Sequence, residues 1–122
     1  MPGMTSFWRP LERGEAAELR GVPWRRRLAR SLALLFVVMG ALDAVLTNAG
    51  LAAGYVEGNP VMRLMQEQLG AWWAAPKAAG HLALASIWLW LPTRRLLVVA
   101  GVITVYYLAK VIHSFSLVVS PA

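Results

Sequence analysis

Apolar residues in this chain gather in three long runs, 31–54, 71–91 and 96–119, preceded by thirty residues rich in arginine and separated by short polar interruptions. A helix rising 1.5 Å per residue needs about 20 residues to cross a hydrocarbon core of about 30 Å. Each run meets that length, so the pattern predicts three transmembrane helices. A shorter pattern lies between the first two. Glu57-Gly58-Asn59-Pro60 supplies a glycine for a tight turn, an asparagine whose side-chain oxygen caps a helix, and a proline suited to a first helical position. The helix predicted over 60–69 puts Val61, Leu64, Met65 and Leu69 on one side and Arg63, Gln66 and Glu67 largely opposite, and it ends at Gly70. Ten residues are too few to span, so this helix is expected to lie along the outer surface or dip into it.

Basic residues set the orientation. Residues 1–30 hold Arg9, Arg13, Arg20, Arg25, Arg26, Arg27 and Arg30, and the turn between the second and third runs holds Arg94 and Arg95. The connection at 55–70 has only Arg63, beside Glu57 and Glu67. The positive-inside rule then places the N-terminus and the Arg94/Arg95 turn in the cytoplasm, with the 55–70 loop and the C-terminus outside. Trp72 and Trp73 fall at the outer interface, and Trp88 and Trp90 at the inner one. A cleaved secretory signal is the rival reading of the first run. A leader of about thirty residues, an apolar stretch beyond the ~15 residues of such a signal, and Asp43 in mid-run argue against it.

Composition agrees with an all-α membrane protein: 122 residues, 58% hydrophobic and 15% charged, against about 25% charged in soluble domains. The organisation read is a basic cytoplasmic arm at 1–30 and a helical transmembrane domain at 31–119. In the arm, Pro10 suits a helix start, Leu11, Ala16, Ala17 and Leu19 give a partial apolar stripe, and Gly21 with Pro23 stops it. A loosely ordered anchor on anionic lipid is the alternative. The absence of cysteine excludes disulfides, thiolate metal sites and a cysteine nucleophile. The net charge of +6 is explained by topology and anionic lipid, so no nucleic-acid partner is expected.

Ionisable residues inside the runs change the picture most, because charge in hydrocarbon costs about 2.5–3.5 kcal/mol per residue even on a lenient scale. Asp43 and Thr47 share a face of the first helix, Lys77 and His81 share one on the second, and Tyr106, Lys110 and His113 follow i, i+4, i+7 on the third. These stripes match in depth and are expected to meet in the outer half of the membrane beneath Glu57 and Asn59. The candidate binding cluster is therefore Asp43, Thr47, Glu57, Asn59, Lys77, His81, Lys110 and His113, with no metal and no cofactor assigned. Each member has a structural alternative. Asp43 pairs with Lys77 or Lys110 to fix packing, Thr47 and Asn48 serve as packing hydrogen bonds, Lys77 and Lys110 snorkel outward, and His113 sits at the interface. Asn59 and Pro60 are fully explained as a helix start. Gly50 and Gly54 form a small-xxx-small pair that lets another helix, or a second copy, approach.

Asp43-x-x-x-Thr47, followed by Glu57-Gly58-Asn59-Pro60 and a lysine, Lys77, in the next span, resembles a bacterial family of small polytopic membrane proteins known as domain of unknown function 5658. The similarity runs over 31–113. It implies a shared fold and a shared polar site at Asp43, Thr47, Glu57, Asn59, Pro60 and Lys77, and it implies no activity.

Two classes of function fit the residues. The first is a binding or accessory membrane protein whose partners are membrane lipid and a protein or second copy. The second is an intramembrane metal-assisted hydrolase using Glu57, His81, His113 and Asp43. Two ammonium groups beside such a site oppose a divalent cation, and no H-E-x-x-H, G-x-S-x-G or glycine-rich phosphate loop occurs. Transport would require several copies, since three spans do not enclose a path. The reading therefore leans to the first class and away from an enzyme.

Overall fold

The structure, a computed structural model, describes residues 14–119. Within them lie α1 (Glu15–Gly21), α2 (Pro23–Ala52), α3 (Pro60–Leu69), a 3-10 turn (Gly70–Trp72), α4 (Ala74–Trp90) and α5 (Arg94–Val119), with no strand among the described residues. Residues 10–13 of the expected arm helix lie outside this range. Gly21 and Pro23 end α1 as the sequence predicts, and α2 then runs unbroken from Pro23 through the arginine cluster. Pro23 occupies the first turn of α2, where its missing N–H costs no helical hydrogen bond.

Local chemistry explains the α3 boundaries. The Asn59 side chain accepts from the Val61 N–H at 3.0 Å, and Gly70, at φ 55°, turns the chain away. That glycine also shifts α4. Helix was expected from residue 71, but Trp73 N–H bonds to Gly70 O at 3.2 Å in the 3-10 turn, and α4 begins only at Ala74. At 17 residues α4 is about 26 Å long, so two helices, α2 and α5, are long and apolar enough to cross a membrane. Similarly, α2 stops at Ala52 because Gly54 takes a left-handed φ of 94° and Tyr55 N–H bonds back to Gly50 O at 2.9 Å. Gly54 therefore lies outside the helix and does not form a helix-contact pair with Gly50, whose nearest neighbour is Tyr55.

The long central helix α2 packs against both α4 and α5, whose backbones stay farther apart and which meet through side chains such as His81 and Tyr107. Its inward row is Ala29, Ala33, Phe36, Gly40 and Asp43, all buried. Phe36, Trp88 and Ala100 form the apolar centre, bordered by Leu32, Leu96, Ile103 and Tyr107. At the arginine-rich end, Arg20 Nη1 donates to Trp90 O at 2.6 Å and Arg25 Nη1 donates to Pro92 O at 3.0 Å. These cations meet carbonyls left without helical partners where α4 ends, and they face the negative end of its dipole. Thr93 caps the start of α5, its Oγ1 accepting from Leu96 N–H at 3.1 Å.

Gly40 is the glycine that permits close helix approach. A Cβ there would overlap the His81 ring, which is itself stacked on Phe36. Gly40→Ala gains at most about 1 kcal/mol of helix propensity but overpacks a buried contact, a cost of about 1–3 kcal/mol. We expect a net loss of stability in detergent unfolding, and Gly40→Ala combined with His81→Ala should be less destabilised than the sum of the two single changes.

Candidate functional site

One row of α2, Phe36, Gly40, Asp43 and Thr47 at spacings of four, three and four, carries the site toward the other two long helices. Asp43 is 1% exposed, and its Oδ2 receives the buried Lys77 ammonium from α4. Lys110 Nζ from α5 approaches the same oxygen at 3.4 Å. One carboxylate thus joins all three long helices. Asp43 Oδ1 has no hydrogen-bond partner among the described residues. Tyr107 stands between the cations, with Lys77 Nζ 5.9 Å and Lys110 Nζ 5.6 Å from its ring centroid, near the limit of cation–π attraction.

One turn below, the His81 ring stacks on Phe36 at 4.1 Å and meets Tyr107 edge-on at 4.8 Å. Neither imidazole nitrogen meets a hydrogen-bond partner among the described residues, although the residue is buried. His81 is thus held chiefly by its ring contacts. Beside it a groove of about 160 Å³ runs between α2 and α4, floored by Val37, Ala41, Ala44 and Ala78. Above the ion pair, buried Trp73 donates its indole N–H to Asn48 Oδ1 at 2.9 Å.

Other residues predicted to join the cluster stand elsewhere. Thr47 bonds its hydroxyl to the Asp43 backbone carbonyl at 2.7 Å, one turn back on its own helix. Glu57 belongs to a separate loop network: its carboxylate accepts from Asn59 N–H at 3.0 Å and Gln66 Nε2 at 3.4 Å, and its carbonyl accepts from Arg63 Nε and Nη2 at 3.1 and 2.8 Å. Asn59 is the exposed cap of α3, and His113 is exposed on α5. Asp43, Lys77, Lys110 and His81 are therefore gathered, whereas Glu57, Asn59 and His113 are not. Among the described residues no three His, Asp or Glu side chains converge as a metal set would. Reading the faces alone missed Gly40, Phe36 and Tyr107, although the first two share the Asp43 row and Tyr107 precedes Lys110 by three residues.

The geometry defines an all-helical protein with two helices long and apolar enough to cross a membrane and a buried acid–base cluster linking three helices. The family described as "Domain of unknown function (DUF5658)" matches residues 34–119, and the chain belongs to it. No curated protein and no solved structure matches the chain.

Removing one partner of a buried ion pair costs about 3–5 kcal/mol because the other charge is left unpaired, while replacing both is often close to neutral. Asp43→Asn and Lys77→Met should each lower the unfolding midpoint in detergent strongly. The double variant should recover most of the loss, as a double-mutant cycle will show.

Proposed function

We propose that the chain is a three-span integral membrane protein of the inner membrane, with the basic arm at 1–30 and the Arg94/Arg95 turn in the cytoplasm and the α3 loop and C-terminus outside. Its 31–119 domain serves a binding or accessory role, in which the Asp43 cluster positions the three helices and presents a polar site toward the outer face.

The observation that carries this reading is the inside-out distribution of polarity on α4. Lys77 and His81 are buried, whereas Leu82, Ile87 and Leu89 are exposed at 57, 47 and 43%. Such a helix suits lipid on its outer face and polar contacts within the bundle. Trp72 and Trp90, at its two ends, are both exposed, as aromatic residues at two membrane interfaces would be. Its 17 residues reach the lower limit of about 17–25 for a span. Lysines from α4 and α5 on one α2 carboxylate further require the three helices to share one depth. Nothing in this arrangement demands turnover. The pairing of one acid with two bases fits a site that holds a group in place.

The chain has no cysteine, so single cysteines report topology directly. In intact cells a membrane-impermeant maleimide should label Gly58→Cys, and should label Arg94→Cys only after permeabilisation. Labelling of both from outside would show that α4 does not cross. For the binding role, the stability-restored Asp43→Asn/Lys77→Met chain should fail to complement a deletion strain. Normal complementation would leave the cluster a packing role alone.

A further inference from the structure

Asp43 offers one negative charge to two ammonium groups, and the two are placed unequally. The Lys77 side chain is 6% exposed and seals the buried side of the pair, while the Lys110 side chain is 36% exposed and only 3.4 Å from the shared oxygen. The trio carries one surplus positive charge, and that charge lies at the surface of α5. A turn before Lys110 Tyr106 is 64% exposed, and nearly a turn after it His113 is exposed, so the three positions share one face of α5 at i, i+4 and i+7, with the Lys110 ammonium at the edge of that face beside Asp43. All three groups donate hydrogen bonds, and α5 contains no Asp or Glu to answer them.

Depth sharpens the identity of the missing anion. If Arg94 and Arg95 mark the inner boundary, a hydrocarbon core of about 30 Å takes up about 20 residues of α5, ending near residue 115. His113 then lies about 3 Å and Lys110 about 7 Å beneath the outer boundary, within reach of the headgroups for a lysine that extends outward, whereas Tyr106 lies about 13 Å beneath it. Val102, Val105 and Ile112, exposed at 66, 66 and 61%, surround the row with apolar surface. A free anion would have no use for that surface, whereas an anion carried on hydrocarbon chains would match both parts.

We propose that Lys110 and His113 form a headgroup site for an acidic phosphoglyceride in the outer leaflet, its phosphodiester charge neutralising the surplus on Lys110. Charge-assisted hydrogen bonds from the ammonium to the phosphate oxygens supply the main attraction, and the imidazole adds a donor nearer the boundary. This site rests on the reading of α5 as a membrane span. It is separate from the Asp43–Lys77 pair that holds the bundle.

The test uses the full chain reconstituted in equal parts phosphatidylglycerol and phosphatidylcholine, extracted in mild detergent and examined by native mass spectrometry for retained lipid. One lysine near a charged membrane surface is worth about 1 kcal/mol, so the wild-type chain should retain phosphatidylglycerol over phosphatidylcholine by about fivefold. Lys110→Met should bring the two to parity, and Lys110→Arg should keep the preference. His113→Ala, which leaves every cluster lysine in place, should reduce it and serves as the second variant if Lys110→Met is poorly folded. Equal retention by the wild-type chain, or a preference undiminished in Lys110→Met, overturns the proposal. So does stabilisation by inorganic phosphate in pure phosphatidylcholine equal to that given by phosphatidylglycerol, which would identify a free anion instead. Failure of the underlying topology would appear in the cysteine labelling, not in the lipid count.

Discussion

A carboxylate buried among apolar helices survives only if cations come to it, and this requirement organises the whole bundle. Asp43 sits on the central helix, and the two cations that answer it come from the helices on either side, Lys77 on α4 and Lys110 on α5. The backbones of α4 and α5 stay apart, and α2 with its carboxylate links them at this depth, together with the Tyr107 ring that meets His81. In the proposed membrane setting a bundle of three helices gains little from apolar burial, since lipid is as apolar as leucine. Specific polar contacts then matter more in selecting one rotation and one register of each helix.

Packing beneath the pair is arranged to make that selection possible. Gly40 lets His81 lie against the α2 backbone, Phe36 stacks on the imidazole, and Tyr107 closes the same space from α5. The aromatic layer places Lys77, one turn above His81, beside Asp43. At the far end Arg20 and Arg25 grip the carbonyls that close α4, so α4 is tied to the arginine-rich segment at one end and to Asp43 at the other. Of the three charges that meet at Asp43, Lys110 is the most exposed.

Much of the helical architecture is readable in the residues because local chemistry determines it. Asn59-Pro60 and Gly70 bound α3 through a side-chain cap and a positive φ, contacts that involve no distant residue. The meeting of Asp43, Lys77 and Lys110 is also visible in advance, since the cost of a buried charge forces opposite charges at matching depth together. The fate of Thr47, Glu57 and His113 is harder to read. Thr47 shares the Asp43 face, yet a hydroxyl on a helix finds its own preceding carbonyl first. Glu57 finds Asn59, Arg63 and Gln66 within its own loop, and these near neighbours outcompete a distant cluster. The start of α4 was obscured because Gly70 acts on the three residues that follow it as well as on the helix that it ends. Gly40 escaped notice because its role depends on a side chain forty-one positions away.

The central claim is that an ion pair between Asp43 and Lys77 holds α2 and α4 together. The most direct measurement is a nitrogen–carbon dipolar coupling between Lys77 Nζ and Asp43 Cγ, by solid-state magnetic resonance on the labelled chain in lipid bilayers. The structure predicts a coupling that corresponds to an ion pair, with nitrogen and oxygen within about 4 Å. Absence of that coupling, with the Lys77 ammonium in contact with headgroups or water, would contradict the account.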